Sequence, residues 1–234
     1  MNDYFHFKKF HVSHKRSSMK VGTDAVLLGA WVDPGNASTI LDVGTGAGVI
    51  ALMLAQRCAD TLVDAVEINN EAYLDASENF ERSPWKSRLR LYQTSIQNFR
   101  PKKRYDLIVS NPPYFVKSLK PPDVGRQHAR HTDSLSFDEL IRSAIELLQP
   151  NGRLAVVLPS QEAMIFEKLA AVHHLFCKRK CAFRTRAHKP VERSLMEFST
   201  QSGKMTEEEL CLYSEGSEWS PGYRTLTKEF YLNA

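Results

Sequence analysis

An α/β fold is predicted: a mostly parallel sheet with helices on both faces and an antiparallel hairpin at its C-terminal end. From about residue 39, short apolar runs alternate with stretches of helical spacing, the pattern of a parallel sheet covered on both sides. The first run ends in Gly44-Thr45-Gly46-Ala47-Gly48, a turn between strand and helix. Past Leu175 the alternation stops and strand-like segments follow one another, as when antiparallel strands finish a parallel sheet.

Taken in order, residues 39–43 form a first strand that runs into the glycines. Residues 49–58 form a helix with little polar surface, and 62–67 a second strand. In 70–82, Ala72, Leu74, Ala76 and Phe80 recur at helical spacing among charges. Residues 89–93 and 105–110 are the third and fourth strands. Residues 137–148 form a helix capped by Ser136, with Glu139 three residues on, the spacing of a capping box. Residues 153–158 are the fifth strand and 160–175 a further helix; 178–184, 194–200 and 209–213 are the closing strands. Residues 115–134, rich in Pro, Lys, Arg and His, read as a substrate loop, because loops of that length are commonly functional. The chain, 1–234, reads as one domain: a basic and aromatic segment over 1–30, a ligand-binding core over 39–160 and C-terminal strands over 175–234.

Hydrophobic content of 42% and charged content of 25% suit a soluble globular protein. No apolar stretch approaches the ~20 residues needed to cross a bilayer. The N-terminus lacks the apolar core of a secretory signal. The four cysteines suggest no disulfide framework, so a cytoplasmic location with reduced thiols is expected. His173, His174, Cys177 and Cys181 match no zinc-ligand spacing, and no metal site is expected. Nothing in the sequence marks membrane attachment or an obligate protein partner.

Net charge is a mild +4, but its distribution is uneven. Lys8, Lys9, Lys15, Arg16 and Lys20 crowd one segment together with Phe5, Phe7 and Phe10. Arg130 lies between two histidines, and Arg186 and Lys189 lie in a later basic run. Basic residues interleaved with aromatics suit phosphate contact and base stacking. Taken singly, each cluster also fits a solvated face or turn.

Glycine permits a tight turn and lets a ligand approach the backbone. Val49 stands where a dinucleotide fingerprint would need a third glycine, which argues against a pyrophosphate. Glu67 ends the second strand, where a carboxylate can accept hydrogen bonds from a ribose diol. Asp42, near the tip of the first strand, is expected to face the same crevice and to suit a ligand bearing an ammonium or sulfonium group. After the fourth strand comes Asn111-Pro112-Pro113-Tyr114. An exocyclic amine on a base is a poor nucleophile, because its lone pair is delocalised into the ring. Asn111 offers a side-chain oxygen and Pro112 a carbonyl to accept hydrogen bonds from its two N–H groups. The prolines stiffen the turn, and Tyr114 offers an aromatic face to a flipped base. The two prolines by themselves would equally fit an ordinary turn. Strands one and four should both open their loops onto the carboxyl edge of the sheet.

The glycine turn resembles motif one of the class I methyltransferases that use S-adenosylmethionine, and the tetrad resembles motif four of those that act on amino groups. The resemblance implies a Rossmann-like sheet, with Gly44, Gly46 and Gly48 beneath the amino-acid end of the cofactor. It further implies Asp42 near the methionine amine, Glu67 with Ile68 at the ribose, and Ser95 and Ile96 at the adenine. An acid is frequent where Ser95 stands. The stretch 5–31, with 128–131 and 226–232, narrows the likeness to bacterial tRNA(Val) adenine-N6 methyltransferases, which modify adenine-37 beside the anticodon. There Thr23 lies by the methionine end of the cofactor, although Thr23-Asp24 would equally serve as a helix cap before 25–31. The partner so implied is tRNA. Two alternatives differ in kind. One is methylation of a glutamine amide in a release factor, whose enzymes usually carry a larger N-terminal domain. The other is an RNA-binding module with a relic cofactor pocket.

Overall fold

The computed structural model describes residues 3–17, 19–113 and 135–232. Tyr114, Arg130 and the whole of the expected substrate loop, 115–134, therefore lie outside the described residues. The chain begins with a small antiparallel hairpin, β1 (Tyr4–His6) and β2 (His11–Ser13), then α1 (Thr23–Trp31). The core follows as β3 (Thr39–Val43), α2 (Val49–Arg57), β4 (Leu62–Glu67), α3 (Asn70–Arg82), β5 (Leu89–Gln93) and β6 (Tyr105–Ser110). It continues with α4 (Phe137–Leu147), β7 (Leu148–Pro159), α5 (Ser160–Val172), β8 (Phe176–Arg184), β9 (Arg193–Ser199), β10 (Thr206–Cys211) and α6 (Pro221–Thr227).

The main sheet has eight strands in the order β10-β8-β9-β7-β6-β3-β4-β5. From β7 to β5 all neighbours are parallel; β9 lies antiparallel between β7 and β8. The expected C-terminal hairpin is thus β8–β9. The last strand departs from that pattern: β10 runs parallel to β8 at the outer edge. The chain adds β4 and β5 on one side of β3, then returns to place β6 on the other, so the topological switch point lies between β3 and β6.

Alternate residues of β3 enter opposite layers. Ile40 packs among α1, α2 and the N-terminal hairpin, whereas Leu41 and Val43 pack under α4 and α5. Helix ends follow local chemistry. Asn69 caps α3 by accepting from the Ala72 amide at 3.0 Å. Ser136 and Glu139 form the expected reciprocal capping box on α4. Ser220 caps α6, which begins on Pro221, a residue suited to the first helical position.

The N-terminal segment differs from its expectation. Phe7 and Phe10 stack on each other at 4.5 Å and are 1% and 4% exposed. They belong to the core and offer no stacking surface for a base. Residues 13–17 are strapped along α3. Asn79, 2% exposed, accepts from the Ser13 amide at 2.7 Å and donates to the carbonyls of Ser13 and Ala47, both at 2.8 Å. Fully buried Asp75 accepts from the amides of Arg16 and Ser17 at 3.0 and 2.8 Å.

Removing Asn79 would strand three buried backbone groups, each costing about 1–3 kcal/mol less any relaxation. Asn79→Ala is expected to lower unfolding free energy by about 2–4 kcal/mol in urea titrations. A change below about 0.5 kcal/mol, the range of ordinary surface substitutions, would show that the strap carries little of the fold.

Candidate functional site

Val43 and Ser110 face each other across the parallel β3–β6 pair, and the Ser110 hydroxyl donates to the Val43 carbonyl at 2.9 Å. The loops that leave these two residues, 44–48 and 111–113, therefore emerge side by side at one sheet edge. The glycine turn needs its glycines. Gly44, Gly46 and Gly48 have φ of 68°, 58° and 87°, a region that residues bearing a Cβ enter at a cost. The amides of Gly44 and Thr45 both donate to the Val66 carbonyl, at 3.0 and 3.1 Å. A Cβ built on Gly44 or Gly46 would meet nothing within 4 Å, whereas one on Gly48 would lie 2.5 Å from Phe80. The first two glycines border open space that a ligand can enter. The third is closed by packing against α3.

Glu67 ends β4 beside this turn and is 8% exposed. One carboxylate oxygen accepts from the Gly46 amide at 2.9 Å and the other from the Asn69 amide at 2.8 Å. Each oxygen retains a lone pair for a further donor. Ser95 follows β5 at the same edge, where the Thr94 amide bonds the Glu67 carbonyl at 3.1 Å. Ile68 is 51% exposed, but Ile96 is 4% exposed and packed in the layer beneath α4. Of the two isoleucines, Ile68 is the one that presents an apolar surface to solvent. Asn111 is half-buried, Pro112 buried and Pro113 exposed.

Asp42 does not face the crevice. It is 0% exposed; its Oδ2 accepts from the Thr45 hydroxyl at 2.6 Å and the Ala51 amide at 3.1 Å. It points, with Ile40, to the helix side of the sheet and fastens the turn to the start of α2. Its Oδ1 is buried with no hydrogen-bond partner among the described residues. Burial pushes the carboxyl up to about 7, the neighbouring Glu67 adds to that rise, and the bonds from Thr45 and Ala51 oppose it. Thr23 is not the helix cap: Gly22 holds that place and makes no side-chain cap bond. Thr23 opens the first turn of α1 instead, beside Asp24, whose carboxylate accepts from Arg193 Nε at 2.8 Å. Arg193 lies opposite Pro159 at the end of β7, so this helix start stands at the same edge as the glycine turn.

The basic residues divide between two places. Arg186 and Lys189 lie in the β8–β9 connection, at the edge that carries the glycine turn. Arg186 reaches the carbonyls of Ser214 and Gly216 and lies over the Tyr213 ring at 5.3 Å. Lys20 donates to the His14 carbonyl at 2.7 Å. Lys8 donates to the Lys228 carbonyl at 2.6 Å, and Lys15 sits 4.6 Å above the Tyr4 ring. Lys9 lines a cleft beside the hairpin. Arg16 is engaged by Asp75 at 2.9 Å and Glu78 at 3.1 Å, which makes it a fastener of the strap. Among the described residues, no group of three or more His, Cys, Asp or Glu could hold a metal, and no helix is long and apolar enough to cross a membrane.

The sequence reading missed the supports of the turn, Thr45, Asn79, Phe80 and Ser110. One signal was available. Asp75 and Asn79 fall on the same helical stripe as Ala72, Ala76 and Phe80, and a polar residue on a buried stripe must find a buried partner.

The Asp42 carboxyl binds its proton more tightly in the folded chain than in the unfolded one. Its contribution to stability is thus greatest below about pH 4 and falls as pH rises to about 7. Asp42→Asn is expected to remove this slope: measured by urea unfolding between pH 4 and 7, the parent should lose stability relative to the variant. Parallel curves would contradict the assignment.

Residues 15–179 match the family model described as "Methyltransferase small domain". A relative from Parabacteroides distasonis, named tRNA1(Val) (adenine(37)-N6)-methyltransferase, is 45% identical over 99% of this chain and 98% of its own length. One of the same name from Tolumonas auensis is 43% identical over 97% and 96%. Among solved structures, an Agrobacterium tumefaciens protein titled a "predicted O-methyltransferase" superposes with a TM-score of 0.69 at 19% identity, covering 88% of this chain and 96% of that one. The glycopeptide N-methyltransferase MtfA, complexed with S-adenosylmethionine, gives 0.56 at 13% identity over 75% and 92%; both likenesses concern the fold. By sequence, this chain belongs to the tRNA1(Val) (adenine(37)-N6)-methyltransferase family.

Proposed function

We propose that this chain methylates the exocyclic N6 amine of adenine-37 in tRNA(Val), with S-adenosylmethionine as donor. The observation that carries the reading is the pairing of β3 with β6, which brings the glycine turn and Asn111-Pro112-Pro113 to one edge in a chain 45% identical to a relative of that name. The reading treats residues 1–234 as one domain; the N-terminal hairpin and α6 both contribute side chains to the apolar layer that contains α1 and α2.

When bound, the donor supplies an electrophilic methyl group on a sulfonium. The open space over Gly44 and Gly46 fits a ligand lying against the turn. Glu67 then accepts from ribose hydroxyls with the lone pairs its two amide bonds leave over. Asp42 acts indirectly, by holding the turn through Thr45. At the acceptor side, the Asn111 side-chain oxygen and the Pro112 carbonyl accept hydrogen bonds from the two amine N–H groups, and one of those protons passes to solvent once the nitrogen has taken the methyl group. That geometry draws the nitrogen lone pair out of ring conjugation and toward the methyl group. Buried Pro112 keeps this corner rigid, and Tyr114 supplies a stacking face for the flipped base. In-line placement and fixed acceptors supply most of the acceleration, and no strong base is required. Lys20, Arg186 and Lys189 are the cations best placed to meet phosphates next to the target.

Incubation with labelled S-adenosylmethionine and tRNA lacking its own modification should put label into one adenine beside the anticodon, mapped by mass spectrometry. Absence of label from tRNA(Val) with an unmodified adenine-37 would refute the reading. Asn111→Ala should lower kcat by about 10²–10³-fold, the usual effect of losing one fixed polar group at a reacting centre, while calorimetry shows cofactor binding retained. Glu67→Ala should instead weaken cofactor binding by about 1.5–3 kcal/mol, the value of hydrogen bonds to a charged group. Unaltered affinity would remove Glu67 from the cofactor site.

A further inference from the structure

The β1–β2 hairpin and the C-terminal end of α3 enclose a cleft of about 360 Å³. Its lining includes His6, Lys9, His11 and Arg82, with the polar side chains of Tyr4 and Asn79, and no carboxylate among the described residues that line it. Neighbouring groups hold the lining side chains in place. Arg82 is paired with Glu78 one helical turn back at 2.8 Å. His6 and His11 face each other through Nδ1 at 2.9 Å. Lys15, above the Tyr4 ring, adds a further charge at the rim. The nearby acids Glu78 and Glu81 engage Arg16, Arg82 and Lys86, and Asp3 lies near Lys15. The cleft backs onto the glycine turn through Asn79, which donates to the Ala47 carbonyl at 2.8 Å, but its guanidinium stands at the far end of α3. The helix starts just past Glu67 at the edge with the glycine turn and ends on Arg82. Its 13 residues rise 1.5 Å each, placing Arg82 about 20 Å from the helix start.

We propose that this cleft is a second contact for the tRNA, taking a backbone phosphate of the same molecule whose base is held at the edge beyond α3. The inference rests on the proposed function for the identity of the nucleic acid. The chemistry is that of phosphate capture by clustered guanidinium, ammonium and imidazole donors. Such a contact positions the substrate without touching the reacting base. Its removal should therefore weaken tRNA binding without slowing the bound complex.

The test is Arg82→Gln, compared with a charge-matched control on the opposite layer, Arg142→Gln, whose guanidinium is likewise paired with an acid one helical turn back. Filter binding of full-length tRNA across a salt series gives Kd and its salt slope; methyl transfer at saturating tRNA gives kcat; calorimetry gives cofactor affinity. For the cleft variant, Kd should rise about tenfold at low salt and the slope of log K on log salt should shrink by about 1, as for one lost phosphate contact. Its kcat, cofactor affinity and melting midpoint should match the parent, and the control should keep the parent slope. An unchanged slope in the cleft variant, or an equal loss in the control, would overturn the assignment. A fall in kcat or in cofactor affinity matching the loss of tRNA affinity would overturn it too, since a contact to the tRNA backbone alone acts on neither. If the parent binds tRNA with the cleft-dependent slope but transfers no methyl group, the proposed function fails and the cleft assignment stands.

Discussion

Parallel pairing of β3 with β6 is the constraint on which the site depends. A parallel neighbour must be reached by a crossover, and the crossovers here place β4 and β5 on one side of β3 and β6 on the other. At that divide two loops leave the same edge from strands whose connections run in opposite directions, the usual place for a ligand in such a sheet. The Ser110-to-Val43 hydrogen bond locks the register there. A slip of one residue would turn Asn111 toward the opposite face.

The glycine turn is held from three directions. Val66 accepts two of its amides, Asp42 ties Thr45 to the first turn of α2, and Asn79 grips the Ala47 carbonyl. Phe80 closes the space behind Gly48. What remains open is the side over Gly44 and Gly46. The turn is thus shaped by groups that never reach the ligand, which is the usual way to obtain a precise site. Asn79 also ties this turn to Ser13, so the N-terminal hairpin and the site share one buried side chain.

Much of the core was legible because its signals are local. Continuous apolar runs bounded by glycine or charge marked β3, β4 and β6, and 3.6-residue spacing marked α3. The capping box of α4 could be read from two residues. The hairpin could not: its strands have three residues each, too few for an alternation to register. The burial of Phe7 and Phe10 depends on contacts with Tyr231 and Trp85 far along the chain, so their aromatic character suggested base stacking. Asp42 was misjudged because its nearness to the strand tip was weighed above strand alternation. Position 42 shares the face of Ile40, and that face is covered by α2. The parallel placement of β10 depends on which edge of the hairpin is free, a fact of topology with no local signature.

The outermost strand carries a consequence of its own. Among the described residues, β10 leaves one flank with no further strand, and its sequence Thr206-Glu207-Glu208-Glu209 is exposed along that flank. A bare strand edge invites another chain to continue the ladder, and consecutive charges are a common deterrent. A second copy approaching there would bring its own run of charged side chains against these. Fibril-like stacking is thereby discouraged.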